Sequence, residues 1–378
     1  MIVESMAKNY SDLRLMQLVI GLGPGGTERL VIDMTREIHR HAYVMVSCLD
    51  ELGDWSNQLT DLGIEMTCLG RNAGFDWRLG LKIARLCKQH RINVIHCHHY
   101  SPYIYGALAG LLRLGLRVVY TEHGRLSDGE PSLKRKIANQ IFGRLPGRFF
   151  AVSHELREHM LQEGFSKQRL KVVHNGIAKG DAPTPAHCLS ARQAMGVAPD
   201  AFVLGTVARL DAVKDLGNLL DAFTLFHKKY NTGRLVIVGD GEEMPMLRKK
   251  VADHRLEDAV VFMGKRDDVR MLLYGLDLYI NCSITEGISV TILEAMASQV
   301  CVLATDVGGT GEIITSGVDG LLVKAKNSNA LSQGIGQLYE DQQMRDQIAA
   351  AGSRRVATHF SMKRMVDSYL TSYDIVGV

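Results

Sequence analysis

No run in this 378-residue chain approaches the roughly 18 consecutive apolar residues that span a bilayer, and the most apolar stretch, Ile104 to Leu112, stops at Arg113. An integral membrane protein is not expected. The N-terminal MIVESMAKNYSDL carries Glu4 and Asp12 and lacks a basic region followed by an apolar core, so it does not read as a secretion signal. The seven cysteines are an odd number, widely spaced and without a C-x-x-C pair, which argues against a disulfide framework or zinc ribbon and for reduced cytosolic thiols. Excess charge is missing too. Forty-four Lys+Arg against 41 Asp+Glu leave +3, too little to draw the whole protein to nucleic acid. There is no internal repeat, no low-complexity tract and no Asp-x-Asp element. What is present, 46% hydrophobic and 22% charged residues, suits a folded, water-soluble enzyme of two or three domains.

Short β-branched runs alternate with helical patterns. Leu15 to Ile20, Tyr43 to Leu49, Val94 to Cys97, Val118 to Thr121, Phe149 to Val152 and Leu170 to Val173 read as strands. The rhythm breaks between His174 and Ala201, where Pro183 and Pro185 end regular structure, and a domain boundary is placed there. It restarts with strands at Phe202 to Ala208, Leu235 to Val238, Val260 to Met263, Asp277 to Asn281, Val300 to Thr305 and Leu321 to Val323. The expected class is α/β: two doubly wound, Rossmann-like domains with parallel sheets, over residues 14–182 and 195–358, with ligands at the carboxyl ends of the strands and a cleft between the domains. A last helix, 360–378, has no following strand and is expected to return to the first domain.

After the first strand, Gly21, Gly23 and Gly26 satisfy G-x-G-x-x-G, and Asp50 lies near the end of the second strand. Alone, this is a dinucleotide fingerprint, and an NAD-dependent oxidoreductase is one reading; a tight turn or another phosphate site are the others. Pro24 removes one N–H that a pyrophosphate could use.

The stretch Ser283-Ile-Thr-Glu286-Gly287-Ile288-Ser289-Val-Thr291-Ile-Leu-Glu294 is more informative. Seven residues separate the two glutamates, an offset of eight or about 12 Å if all were helical, so they suit two ends of one elongated ligand better than a close catalytic pair. The N–H groups of Ser289 to Thr291, at a helix start, suit a phosphate between them. Arg209 and Lys214 supply two fixed charges for a leaving diphosphate, against the plainer reading of two solvated surface cations.

Taken in order, Arg209 with Lys214, VGDG at Val238 to Gly241, EGISVTILEAMAS around Glu286 and Glu294, and Val307-Gly308-Gly309 resemble the retaining glycosyltransferase family 4 pattern on the GT-B fold. GPGGTERLV, Thr121-Glu122-His123-Gly124, Ala151 to Ser153 and His174 to Gly176 match as well, so the resemblance covers nearly the whole chain after about residue 14. The pattern is especially similar to sugar transferases of bacterial exopolysaccharide gene clusters. The resemblance implies an acceptor-binding first domain and a nucleotide-sugar-binding second one, without a metal or cofactor, the nucleoside-diphosphate sugar being a co-substrate. Glu286 would hold donor-sugar hydroxyls with backbone from Gly287, Ile288 and Ser289, Glu294 the ribose, and Arg209 and Lys214 the diphosphate. Gly25 and Gly26 would approach that diphosphate from the other domain, with Gly239 on the same rim. Lys265 and Arg266 would lie by the base and His123 by the reacting sugar. Gln299 and Cys301 depart from the Gly and Pro that the family usually carries there.

His96-Cys97-His98-His99 invites a metal reading, but strand alternation gives one ion at most two ligands. A strand-end loop lining the cleft fits better, making His98, His99 and Tyr103 acceptor-site candidates. The segment Arg125 to Arg148 holds six cations against Asp128 and Glu130, a net of +4, beside an apolar stripe of Ile137, Ile141, Phe142 and Leu145. The plain expectation is a core-facing helix with a solvated face. The alternative is peripheral contact of a cytoplasmic enzyme with anionic lipid, which would suit a lipid-linked acceptor. The functional expectation is a metal-independent, retaining transfer of sugar from a UDP- or GDP-sugar to a saccharide or lipid-linked acceptor. Beside it stand the oxidoreductase and a catalytically silent sugar-nucleotide-binding subunit.

Overall fold

The computed structural model describes residues 10–124, 132–180 and 182–373. Arg125, Asp128 and Glu130 of the basic segment, and the end of the tail beyond residue 373, lie outside the described residues. The chain divides into two units, Met1–Asn175 with Met362–Val378, and Gly176–Ser361. The first therefore ends at Asn175, before the proline-containing stretch.

The first unit alternates strands β1 (Arg14–Val19), β2 (Tyr43–Cys48), β3 (Glu65–Cys68), β4 (Val94–His98), β5 (Arg117–Glu122), β6 (Phe149–Ala151) and β7 (Leu170–Val172) with helices. The helices are α1 (Gly26–His39), α2 (Asn57–Thr60), α3 (Arg78–Gln89), α4 (Tyr100–Leu112), α5 (Leu133–Phe142) and α6 (His154–Gln162). All seven strands are parallel in the order β3-β2-β1-β4-β5-β6-β7. Five of the runs read from sequence form the inner, buried strands and the sixth forms β7 at one edge, whereas the short strand β3 at the other edge was not expected because EMTC has no apolar run.

The second unit opens with α7 (Pro185–Met195), a helix inside the stretch read as irregular. Thr184 caps it, accepting from His187 N, Pro185 takes the first helical position and Gly196 ends it in the left-handed region. Strands β8 (Val203–Val207), β9 (Arg234–Val238), β10 (Val260–Gly264), β11 (Leu278–Asn281), β12 (Cys301–Thr305) and β13 (Leu321–Val323) follow. Between and after them come α8 (Leu216–Tyr230), α9 (Met244–Asp253), α10 (Val269–Leu273), α11 (Val290–Ala297), α12 (Thr310–Ile313), α13 (Ser328–Glu340) and α14 (Gln342–His359). This sheet is also parallel, ordered β10-β9-β8-β11-β12-β13. Its core gathers Leu204, Phe223, Ile237, Ile280 and Leu303.

The last helix, α15 (Met362–Ser372), belongs to the first unit. Met365, Val366, Tyr369 and Leu370 complete a core with Leu15, Met34, Val119 and Phe150. All seven cysteines are unpaired, five of them buried. One expectation is reversed. On α5, Ile137 and Ile141 are exposed and the buried residue is Asn139, so the apolar stripe does not face the core.

Candidate active site

Ligands of a doubly wound sheet gather beyond the carboxyl ends of the strands, where the strand order reverses. In the second unit that point lies between β8 and β11, and the loops leaving these strands carry Lys214 and Glu286. Lys214 Nζ donates to Glu286 Oε1 at 2.6 Å. Ser283 Oγ donates to the same oxygen at 2.7 Å and Asn281 Nδ2 at 3.3 Å. Three donors on one oxygen fix the carboxylate, and both charged side chains are mostly covered, 23% and 11% exposed. The backbone of Glu286 is held from the other side. Gly309 N donates to its carbonyl at 3.3 Å, and Gly308, at a left-handed φ of 54°, approaches that carbonyl so closely that a Cβ would overlap it.

Gly287 and the buried Ile288 link this carboxylate to α11, which Ser289 caps by accepting from Ile292 N. The Thr291 hydroxyl turns inward, accepting from Tyr279 at 2.7 Å beside Ser289 Oγ at 3.2 Å. Burial pushes the Tyr279 phenol up, keeping it a donor. The helix thus offers backbone N–H groups to an anion, its hydroxyls being engaged with one another. Glu294 is half-buried on α11, one turn further in.

Arg209 stands apart from this pair: its side chain is 77% exposed and binds Asp211. Its loop is positioned by glycine. Gly239 and Gly241 lie against the carbonyls of Ala208 and Leu210, where a Cβ on either would overlap, and Leu210 N donates to Asp240 O at 2.9 Å. Lys265 is exposed beyond β10, and Arg266 makes two bonds to Asp268, at 2.8 and 2.7 Å.

In the first unit the order reverses between β1 and β4. Gly25 forms the extended N-cap of α1, Gly26 opens the helix, and the Glu28 carboxylate folds against Gly25. Asp50, the acidic member of the dinucleotide pattern, is held by Arg71 through bonds of 2.8 and 2.7 Å, which gives that carboxylate a structural task. At the end of β4, His96 and His98 share a face. His96 meets Tyr373 OH at 2.8 Å and Thr121 Oγ1 at 2.7 Å. His98 meets Gln17 Oε1 at 2.8 Å through Nε2, and His123 Nε2 at 3.0 Å through Nδ1. With the Gln17 oxygen accepting from His98 Nε2–H, His98 Nδ1 must accept from His123 Nε2–H. His123 is then left with a bare Nδ1 acceptor, and that atom has no protein partner among the described residues. Burial lowers the pKa of His96, His98 and His123 well below the ordinary value, with the neighbouring imidazoles adding to it. The row is neutral near pH 7.

His99 caps α4 at φ 73°, uncommon for a side-chain-bearing residue, and its ring lies 5.3 Å from that of His123. Tyr103 is corrected. It is buried, stacked on Tyr120 at 4.6 Å among Phe142, Phe149 and Phe165, so it belongs to an aromatic core rather than to a rim. His98 is buried behind His123, which makes it a support for that ring rather than a surface for an acceptor.

Residues 24–179 match the family Glycosyltransferase Family 4, and residues 190–355 match Glycosyl transferases group 1. The chain is a family 4-like glycosyltransferase. Among curated relatives of this glycosyltransferase is N-acetyl-alpha-D-glucosaminyl L-malate synthase of Bacillus anthracis, 25% identical over 304 residues and 79% of each chain. Another is UDP-Gal:alpha-D-GlcNAc-diphosphoundecaprenol alpha-1,3-galactosyltransferase of Escherichia coli, 22% identical over 311 residues, again 79% of each. The crystal structure of Anabaena Alr3699/HepE in complex with UDP and glucose has a TM-score of 0.86 at 24% identity, covering 96% of this chain and all of that one. The shared fold is GT-B.

Several residues of the glycosyltransferase's two clusters escaped sequence reasoning. Asn281, which ends β11, and Ser283, in the turn before Glu286, were given no role, and Gly308, read only as part of a motif, shows its task when its backbone meets Glu286. Gln17 did leave a signal: it is the polar residue in the apolar run Leu15 to Val19.

Proposed function

We propose that the protein transfers a sugar, with retention at the anomeric carbon, from a nucleoside-diphosphate sugar to a saccharide or lipid-linked acceptor in glycan or polysaccharide biosynthesis. The observation that carries this reading is the gathering of Lys214, Asn281 and Ser283 on Glu286 Oε1 at the reversal point of the second sheet. A cation for phosphate and a carboxylate for sugar hydroxyls are thereby held side by side, next to the N-terminus of α11. The relatives' names add support, since one is a UDP-galactose transferase to a diphosphoundecaprenol-linked sugar, and Anabaena HepE was crystallised with UDP and glucose.

In this reading the acceptor hydroxyl attacks the anomeric carbon on the face from which the diphosphate departs. The bond from that carbon to the diphosphate oxygen breaks as the new glycosidic bond forms, and the acceptor proton passes to the departing diphosphate. Lys214 stabilises the charge developing on that group, with Arg209 reaching it from the exposed β8 loop and no divalent ion required. Glu294 takes the ribose, Lys265 and Arg266 lie by the base, and Gly25 and Gly26 serve the diphosphate. The first unit holds the acceptor, with His123 presenting a neutral acceptor nitrogen to a hydroxyl. His99 lines that site. A donor of this kind places the work in the cytoplasm.

The test is a screen of UDP- and GDP-sugars for hydrolysis and transfer, with the product's anomeric configuration read by NMR and EDTA present. Retained configuration and EDTA-insensitive turnover are expected. Nucleotide binding without hydrolysis or transfer, under all donors and simple saccharide or lipid-linked acceptors, would mark a silent binding subunit instead.

A further inference from the structure

Helix α5 is inside out. Leu133, Ile137 and Ile141 follow one another at four-residue intervals, about 40° apart around an α-helix, and form one stripe. That stripe is in water: the three residues are 72%, 49% and 50% exposed. Arg135 and Asn139 lie roughly opposite and point inward. Arg135 reaches Glu163 at 2.9 Å and Glu122 at 3.5 Å and stacks over the Tyr100 ring at 3.8 Å. Asn139 is buried, accepting from Tyr100 OH at 3.1 Å and donating to Glu163 O at 2.9 Å. A surface helix ordinarily buries its aliphatic stripe and wets its charges. Here two buried carboxylates hold the helix by its polar side, and the apolar side is left uncovered.

The surroundings name the partner. Between residues 132 and 148 the chain carries Lys134, Arg135, Lys136, Arg144 and Arg148 and no carboxylate. Lys134 and Arg144 are exposed and flank the stripe. The apolar surface continues at the end of α4, where Leu111, Leu112 and Leu114 are 52%, 56% and 97% exposed. This corner adjoins the end of α5, for a Cβ on Gly110 would stand 3.4 Å from Leu145. A second copy of the same face would bring like charges together. Apolar side chains rimmed by cations fit a surface that is apolar below and anionic above. Among the described residues no helix is long and apolar enough to cross a membrane, so contact would be from one side.

We propose that the outer face of α5, with the Leu111, Leu112 and Leu114 corner, docks the protein onto an anionic lipid bilayer. The proposal does not depend on the assignment of sugar transfer. Co-sedimentation of the full chain with phosphatidylcholine vesicles, with and without phosphatidylglycerol, tests it. The wild type should sediment with the phosphatidylglycerol vesicles and be released by salt. Ile137→Ser with Ile141→Ser should lower partitioning by about tenfold or more. Lys134→Ala with Arg144→Ala should abolish the preference for phosphatidylglycerol. All four positions are exposed, and thermal melts should confirm unchanged folding. Donor hydrolysis without vesicles should be the same in every variant, which separates this test from that of the function. Wild-type chain left in the supernatant, or serine variants that bind like wild type, would overturn the proposal. So would a concentration-dependent dimer that the serine substitutions abolish while vesicles bind neither form.

Discussion

The two units share one plan, a parallel sheet whose order reverses once, yet the side chains at the two reversal points are electrostatic opposites. In the second unit a lysine and a glutamate form an ion pair at 2.6 Å, both side chains mostly covered. In the first, His96 and His98 are buried, His123 is half-buried against His98, and all three are held neutral. A frame therefore fixes where chemistry occurs without fixing its kind. One point suits a ligand that brings its own charges, the other a hydroxyl seeking a neutral partner.

The contrast is open to attack from its strongest side first. Glu286→Ala and Lys214→Ala should each lower transfer by about a thousandfold in a donor-turnover assay, since one loses the carboxylate that holds the sugar hydroxyls and the other the cation that meets the developing diphosphate charge. Near-normal turnover in both would remove the charged cluster from catalysis. His123→Ala should cost about a hundredfold in kcat, the range expected when an attacking hydroxyl loses the hydrogen bond that orients it, while circular dichroism shows a folded chain.

Acid should act on the first unit selectively. The unfolded chain protonates each histidine near pH 6.5 and the folded row resists, so their contribution is intact above that pH and lost as pH falls below it. Glu163 works the other way. Burial lifts it to about 7, so its contribution is present below the ordinary carboxylate value and is lost as pH rises through about 7. Three histidines outweigh one carboxyl, so stability should fall as pH falls from about 6 to 5. Denaturant melts across that window should show it, and a flat profile would mean the row is not buried and neutral. The smallest effect is expected for Arg209→Ala, about tenfold in turnover, because its exposed side chain must leave Asp211 before it can serve a diphosphate. A loss equal to that of Lys214→Ala would place it within the cluster.

Much of the fold was legible because inner parallel strands read as continuous apolar runs, and twelve of the thirteen strands among the described residues were located from the sequence. β3 is short and at an edge, and α7 hides among prolines and glycines that in fact cap it. The donor-side motif was legible because Glu286 and Lys214 sit at strand ends, where local sequence and site coincide. Tyr103 was misread and Gly308 undervalued for one reason. Whether an aromatic ring joins a core or a rim, and which carbonyl a glycine must approach, depends on residues distant in the chain. The same holds for α5: its stripe is visible in sequence, but its direction is set by Glu122 and Glu163.

The placement of α15 has a consequence for the order in which the molecule can be made. A ribosome delivers the first unit's sheet early, but Met365, Tyr369 and Leu370 of its core, and the Tyr373 hydroxyl against His96, come only after the whole second unit has been made. Until then the nascent sheet has an open apolar patch, and His96 lacks one of its two partners. The early-born half must wait for the late-born helix, so a chain released before residue 362 would be flawed in its first unit.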